Sequence, residues 1–286
     1  MRREVVMLST ILYAAGCAGG RAGAAPDDTA HVNAMAHEHA GQAPDANAST
    51  AEPRQEVTAR EVVYGTAGGR ELRGYMAAPA SARADAPLPG VVMIHEWWGL
   101  NDNIRMMARR LAGEGYRVLA VDMYGKVATN PDEARSYMME VMQNRPAGMQ
   151  NLAAAAEFLA TRMHAPKLGV VGWCFGGGWS LQTALQLPER IDAAAVYYGQ
   201  PVTDRAQLAR LDAPVAGFFG LQDRGIPADS VRKMESELKS LGKTVDFHYY
   251  QAGHGFANPS GDAYNAEAAA DAWTRTLDLF ARTLKR

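Results

Sequence analysis

Cysteine is nearly absent from this chain: its 286 residues include two, Cys17 and Cys174. If the first is acylated or cut away, the second has no intramolecular partner, and a disulfide framework is excluded. A basic excess is missing as well. Lys and Arg number 29 against 31 Asp and Glu, a formal charge of −2, so binding to nucleic acid has no electrostatic support. The apolar run near the start, Val5 to Ala15, is too short to span a bilayer. No internal repeat is visible. What remains is a composition 48% hydrophobic, enough for one large α/β domain with extra segments.

The first residues read as a processing signal. Arg2 and Arg3 give a positive start, the apolar run follows, and small residues close it. The end of the run, Ala14-Ala15-Gly16-Cys17, resembles the lipobox of bacterial lipoproteins, with Ala14 where leucine is usual. That resemblance implies that Cys17 becomes the lipidated first residue of the mature chain. The alternative is an ordinary secretory signal cut nearby, with Cys17 discarded. Either way the protein is expected to be exported, to the periplasm or cell envelope, and the first reading adds a lipid tether to the membrane. A lone thiol in an oxidising compartment is a chemical liability, so Cys174 should be used or deeply buried.

Residues 1–17 are thus a signal and 18–57 a flexible linker, rich in Ala, Gly, Asp, Asn, Thr and Pro without periodicity. The linker carries His31, Met35, His37 and His39, a loose cluster that could hold copper or zinc weakly. No second ligand group at fixed spacing accompanies it, and neither a metal site nor a cofactor is expected. The folded domain spans 58–286. Glu61–Tyr64 and Glu71–Ala77 alternate around Gly68-Gly69 as a hairpin. Strands are expected at Gly90–His95, Tyr116–Val121, Leu168–Gly172, Ala193–Tyr198, Pro214–Phe219 and Thr244–Tyr250. Helices are expected at Asn101–Ala112, Asp132–Met142, Met149–Met163, Phe175–Gln186, Thr203–Ala209, Ala228–Leu241 and Ala263–Leu284. Such alternation predicts an α/β fold, a mostly parallel, doubly wound sheet covered on both faces. Functional groups then belong in loops at the carboxyl ends of strands.

The chain is organised around Lys167–Ser180, K-L-G-V-V-G-W-C-F-G-G-G-W-S. A buried strand stops at Gly172, Cys174 follows, and glycines open a helix. This resembles the nucleophile turn of α/β-hydrolases, G-x-S-x-G, with sulfur in place of oxygen. A nucleophile needs a base and the base an orienter. In chain order, the strand ending at Phe219 leads to Asp223 and the strand ending at Tyr250 leads to His254. Asp229 lies in or beside a helix, and Asp246 and His248 lie inside a strand; none of the three reaches the rim. Directly after the first core strand comes His95-Glu96-Trp97-Trp98-Gly99, where this fold supplies one oxyanion-hole amide. The donors would be the backbone N–H groups of Trp97 and Phe175. It is not a zinc motif, because position 99 is glycine rather than histidine.

Together, G-x-C-x-G-G, the H-E-x-x-G segment and the ordered Cys174, Asp223 and His254 resemble dienelactone hydrolase, over about Glu61 to Leu284. The resemblance implies a carboxymethylenebutenolidase-like attack on a small ester or lactone through an acyl-cysteine. It also implies that Glu96 pairs with the resting thiol and swings away when substrate arrives. Two arginines hold the substrate carboxylate in that family. Here one position falls in Asp122-Met123-Tyr124-Gly125-Lys126 and the other is Asn258, so dienelactone itself is not the expected substrate. Tyr124, Lys126 and Asn258 are the candidate pocket residues. A broad esterase or thioesterase, or a catalytically silent, membrane-tethered binding protein on the same scaffold, remain as alternatives; oligomeric state is not legible.

Overall fold

The apolar runs become the middle of one sheet. A computed structural model of the chain describes residues 28–42, 52–83 and 87–285. The signal, Cys17 and the remainder of the linker lie outside the described residues. Eight strands line up in the order β1-β2-β4-β3-β5-β6-β7-β8. Their ranges are β1 (Val57–Ala67), β2 (Arg70–Pro79), β3 (Gly90–Ile94), β4 (Arg117–Val121), β5 (Leu168–Trp173), β6 (Ala193–Tyr197), β7 (Val215–Gly220) and β8 (Val245–Tyr250). β1 and β2 pair antiparallel, β2 meets β4 antiparallel, and the strands from β4 to β8 run parallel. The doubly wound arrangement expected from the alternation is therefore present. The hairpin strands extend past the stretches read from sequence, and turn at Gly68 and Gly69, both with positive φ.

Strands β3 to β7 are buried along their whole length, which is why they read as continuous apolar runs rather than alternating ones. Each fully buried Val or Ile there contributes about 1.5–3 kcal/mol. The two faces are covered by different helices. A Cβ on Gly169 would meet Leu284 and Phe280 of α8 (Ala266–Leu284). Three residues on, a Cβ on Gly172 would meet the backbone of α5 (Phe175–Gln186) instead, as strand alternation requires. α2 (Asp102–Ala112) meets α8 through the Arg110 guanidinium, 4.3 Å from the Trp273 ring. On the other face α4 (Arg145–Glu157) meets α5 where Gly148 leaves room for the Trp179 ring. α3 (Pro131–Gln143) precedes α4, a π-helical turn (Phe158–Arg162) ends it, and α6 (Arg205–Leu208) and α7 (Ala228–Ser240) complete the helical set.

One element departs from the sequence reading. Asp28–Glu38, expected as part of a flexible linker, is an α-helix, α1. It carries no continuous apolar stripe, so periodicity did not reveal it. Its inward face is Val32 and Met35, with His39 one turn on. Tertiary contacts hold it. Arg145 Nε donates to Asp28 Oδ2 at 2.9 Å, and Arg135 donates to Asn33 Oδ1 at 2.7 Å. Isolated helices this short are marginal in water, so docking against α3 and α4 is what gives α1 its shape.

Candidate active site

β5 breaks at Trp173, and Cys174 makes the turn with φ 56° and ψ −118°. A residue with a Cβ in that conformation costs about 1–3 kcal/mol, and the surroundings leave no relaxed alternative. A Cβ on Gly172 would lie 2.1 Å from the Gly176 carbonyl oxygen, and one on Gly176 2.3 Å from that of Ile94. One on Gly177 would lie 2.3 Å from the Tyr197 carbonyl oxygen. That same oxygen accepts the Cys174 N–H at 3.0 Å. Backbone thus packs against backbone on three sides, and the thiol is projected from the N-terminus of α5, where the helix dipole favours negative charge. Cys174 is buried, 2% exposed.

The parallel pairing of β7 with β8 brings the loops after both strands to the same rim. Their residues meet there. The His254 Nδ1–H donates to Asp223 Oδ2 at 2.7 Å, and Asp223 Oδ1 accepts the Ile226 N–H at 2.7 Å. Both side chains are almost fully enclosed. With Nδ1 committed to Asp223, Nε2 faces inward and has no hydrogen-bond partner among the described residues. It lies within 4.8 Å of the Cys174 sulfur. Burial opposes a charge on this imidazole, but the charges of Cys174 and Asp223 outweigh it and hold the ring well above the usual histidine range. The three groups read from sequence are therefore brought together. Asp229, Asp246 and His248 are not: His248 pairs with Asp246 along β8.

Glu96 stands elsewhere than expected. Its carboxylate accepts from the Tyr198 hydroxyl at 3.2 Å and from the Asn258 amide at 2.6 Å, not from the thiol. Burial lifts its carboxyl to about 7, against the lowering effects of Tyr198, His254 and Asn258. Asn258 is thereby spoken for. Tyr124 packs its ring on Phe175 and His95, its hydroxyl buried without a partner among the described residues. Lys126 is exposed, its ammonium 3.8 Å from the Tyr137 ring centre. Neither position offers a free cation to a substrate carboxylate beside the thiol. His95 is structural: its Nε2 accepts the Met123 N–H at 3.1 Å, and its Nδ1–H donates to the Glu96 carbonyl. Trp97 is fully buried, and Phe175, as the first residue of α5, has an N–H without an intrahelical acceptor.

Sequence reasoning missed the place of Met35 and His39, read there only as part of a loose linker cluster, and did not name Tyr198. Met35 Sδ lies 3.7 Å from Cys174 Sγ and His39 Nε2 lies 3.9 Å from it. The His39 ring stacks on Trp97 at 4.5 Å and meets His254 edge-on at 5.5 Å. Burial, then the charge of His254, pull its pKa down to about 4. Tyr198, at positive φ just past β6, sets its ring 5.1 Å from His254 and its hydroxyl on Glu96. The spacing of Met35 and His39, four residues apart on one helical face, was the available signal for α1. Tyr198 had none.

Comparison with known proteins places this arrangement. The model of the dienelactone hydrolase family matches residues 72–284. Protein usf of Aquifex pyrophilus is 34% identical over 221 residues, covering 74% of this chain and 94% of that protein. A Methylorubrum extorquens protein named "Putative carboxymethylenebutenolidase" is 33% identical over 226 residues, covering 73% of this chain and 76% of that one. The crystal structure of a dienelactone hydrolase-like promiscuous phosphotriesterase from metagenomic libraries superposes with a TM-score of 0.72 at 26% identity, over 79% of this chain and 98% of that one. On the strength of the family match and the shared eight-stranded architecture, the chain belongs to the dienelactone hydrolase family and is a hydrolase of the α/β-hydrolase fold, a family that acts on small-molecule esters.

Proposed function

We propose that this chain cleaves a small carboxylic ester or lactone through an acyl-cysteine, with Cys174 as nucleophile, His254 as base and Asp223 as its orienter. The observation that carries the reading is the 2.7 Å bond from His254 Nδ1 to Asp223, which leaves Nε2 turned toward the sulfur. His254 Nε2 takes the thiol proton, and the thiolate attacks the carbonyl carbon. The C=O electron pair moves onto oxygen, where the N–H groups of Trp97 and Phe175 would receive it. The C–O bond to the alcohol breaks, and His254 returns its proton to that oxygen. Water, deprotonated by His254, then adds to the thioester; the C–S bond breaks and the acid leaves. Asp223 stays ionised throughout and holds the imidazole tautomer.

Glu96 acts in this scheme as a positioning residue, bracing Tyr198 and Asn258 beside His254. The substrate class follows from what the site lacks. Asn258 is held by Glu96 and Lys126 stacks on Tyr137, so an uncharged ester fits better than a lactone bearing a carboxylate. A cavity of about 90 Å³ between α1, α5 and the loop after β6, lined by His31, Trp179, Gln200 and an Arg145 already paired with Asp28, suits one small uncharged substituent. The thiol itself lies outside it, against Met35 and His39. Turnover therefore requires α1 to yield. We also place the enzyme in the cell envelope, tethered through Cys17.

Cys174→Ala should abolish hydrolysis of p-nitrophenyl acetate; turnover at the parent rate would remove the acyl-cysteine route. Glu96 supplies a second test, of stability. Between its ordinary value near 4.5 and its folded value of about 7, the unfolded chain has lost a proton that the folded chain keeps. Stability then falls as pH rises through that window. Glu96→Gln has no proton to lose, so from pH 5 to 8 it should gain about 3 kcal/mol relative to the parent in urea unfolding. Identical pH dependence of the two proteins would contradict the raised carboxyl. For the tether, intact mass spectrometry of membrane-fraction protein should find a lipid on Cys17, and an unmodified N-terminus beyond residue 17 would refute it.

A further inference from the structure

Around the Cys174 sulfur the hydrogen-bonding count does not close. His39 donates from Nδ1 to Gln42 Oε1 at 2.9 Å, and His254 from Nδ1 to Asp223 Oδ2 at 2.7 Å. Each ring is thus fixed from behind and turns Nε2 inward. The Met35 thioether, 3.7 Å from the sulfur, is a third electron-pair donor. One proton, whether it sits on sulfur or on an imidazole, serves one of these contacts and leaves the others facing lone pairs. Among the described residues His254 Nε2 has no hydrogen-bond partner. All four residues are buried: Met35 0%, Cys174 2%, His254 6% and His39 9% exposed. Enclosed lone pairs converging on one point are costly unless something positive joins them.

We infer that Cys174, His254, His39 and Met35 form a binding site for monovalent copper. Ring nitrogen and sulfur ligand atoms of Cys174, His39 and His254 all lie within 4.8 Å of one another, and His39 Nε2 is 3.9 Å from the sulfur. Metal bonds of about 2.0 Å to imidazole and about 2.3 Å to thiolate set such atoms about 3.5 Å apart, so closure takes about 0.4 Å at the His39 contact and at most about 1.3 Å at the widest pair. The donor set selects the ion. A thiolate and a thioether are soft ligands suited to Cu(I), and imidazole accepts it. Hard cations want oxygen, and the Glu96 carboxylate is engaged by Tyr198 and Asn258. On binding, the thiol proton leaves to solvent and the ion takes its place. Two ligands belong to α1 and two to the hydrolase machinery, so copper would clamp α1 over the nucleophile and stop ester cleavage. The inference stands on ligand geometry and does not depend on what ester is cleaved.

The test is Cu(I) titration of the full chain, reduced and anaerobic, against bicinchoninate, with X-ray absorption on the loaded protein. One copper per chain is expected, with two sulfur and two nitrogen scatterers. His39→Ala and Met35→Leu should each weaken binding at least tenfold, and Met35→Leu should remove one sulfur scatterer. The double variant His31→Ala/His37→Ala should bind as the parent does. One equivalent of Cu(I) should inhibit ester hydrolysis by the parent, and the same dose should inhibit His39→Ala at least tenfold less. Absence of stoichiometric binding would overturn the site, and so would a single sulfur scatterer in the parent, which needs no variant to fold. Undiminished affinity in His39→Ala, or loss in the His31/His37 variant, would do the same. Tighter binding of Zn(II) than of Cu(I) would overturn the choice of ion.

Discussion

Everything at the rim of this sheet depends on a steric constraint where β5 turns into α5. Glycines at 172, 176 and 177 bring three backbones within contact distance, and a methyl group at any of them would penetrate a carbonyl. The chain is left one way through, and Cys174 takes it at φ 56°. The strain is local and is offset by burial of five strands along their whole length. Its yield is position: a sulfur held at a helix N-terminus, facing an imidazole delivered from the end of a strand three places along the sheet.

That imidazole shows how topology substitutes for sequence proximity. His254 is 80 residues beyond Cys174 and 31 beyond Asp223 in the numbering, yet parallel pairing sets the ends of β5, β7 and β8 on one edge. This is why the constellation was legible. Once the strand–helix alternation is read, each strand end is a candidate position, and polar residues there stand out against long apolar runs. The fold was legible for the same reason, since buried parallel strands announce themselves as unbroken Val, Ile and Ala. Helix ends were less so: α6 shrinks to Arg205–Leu208, and α8 starts at Ala266, after its Asn265 cap.

What escaped the sequence escaped for physical reasons. α1 buries an imidazole and a thioether rather than a leucine stripe, so its inward face does not look like one. Its helicity is supported by an ion pair to Arg145 and a hydrogen bond from Arg135, both more than a hundred positions away, which no local window contains. The partners of Glu96 were hidden similarly. Tyr198 follows β6 and Asn258 follows β8, and no spacing links them to a glutamate after β3. The linker reading met its limit in the same place: of its four His and Met residues, Met35 and His39 gain a partner group only when α1 docks on Cys174. A thiol with two states would follow, capped by α1 and, with copper, locked; or uncovered and free to attack an ester.

The central claim is that Asp223 fixes the His254 tautomer so that Nε2 can serve the sulfur, and one substitution isolates it. Asp223→Asn keeps the size of the side chain but removes the charge and the acceptor preference that hold the proton on Nδ1. Steady-state hydrolysis of p-nitrophenyl acetate should then show kcat lowered on the order of 10³–10⁴-fold with KM little changed. A variant that turned over at the parent rate would contradict the assignment of these three residues to one catalytic unit.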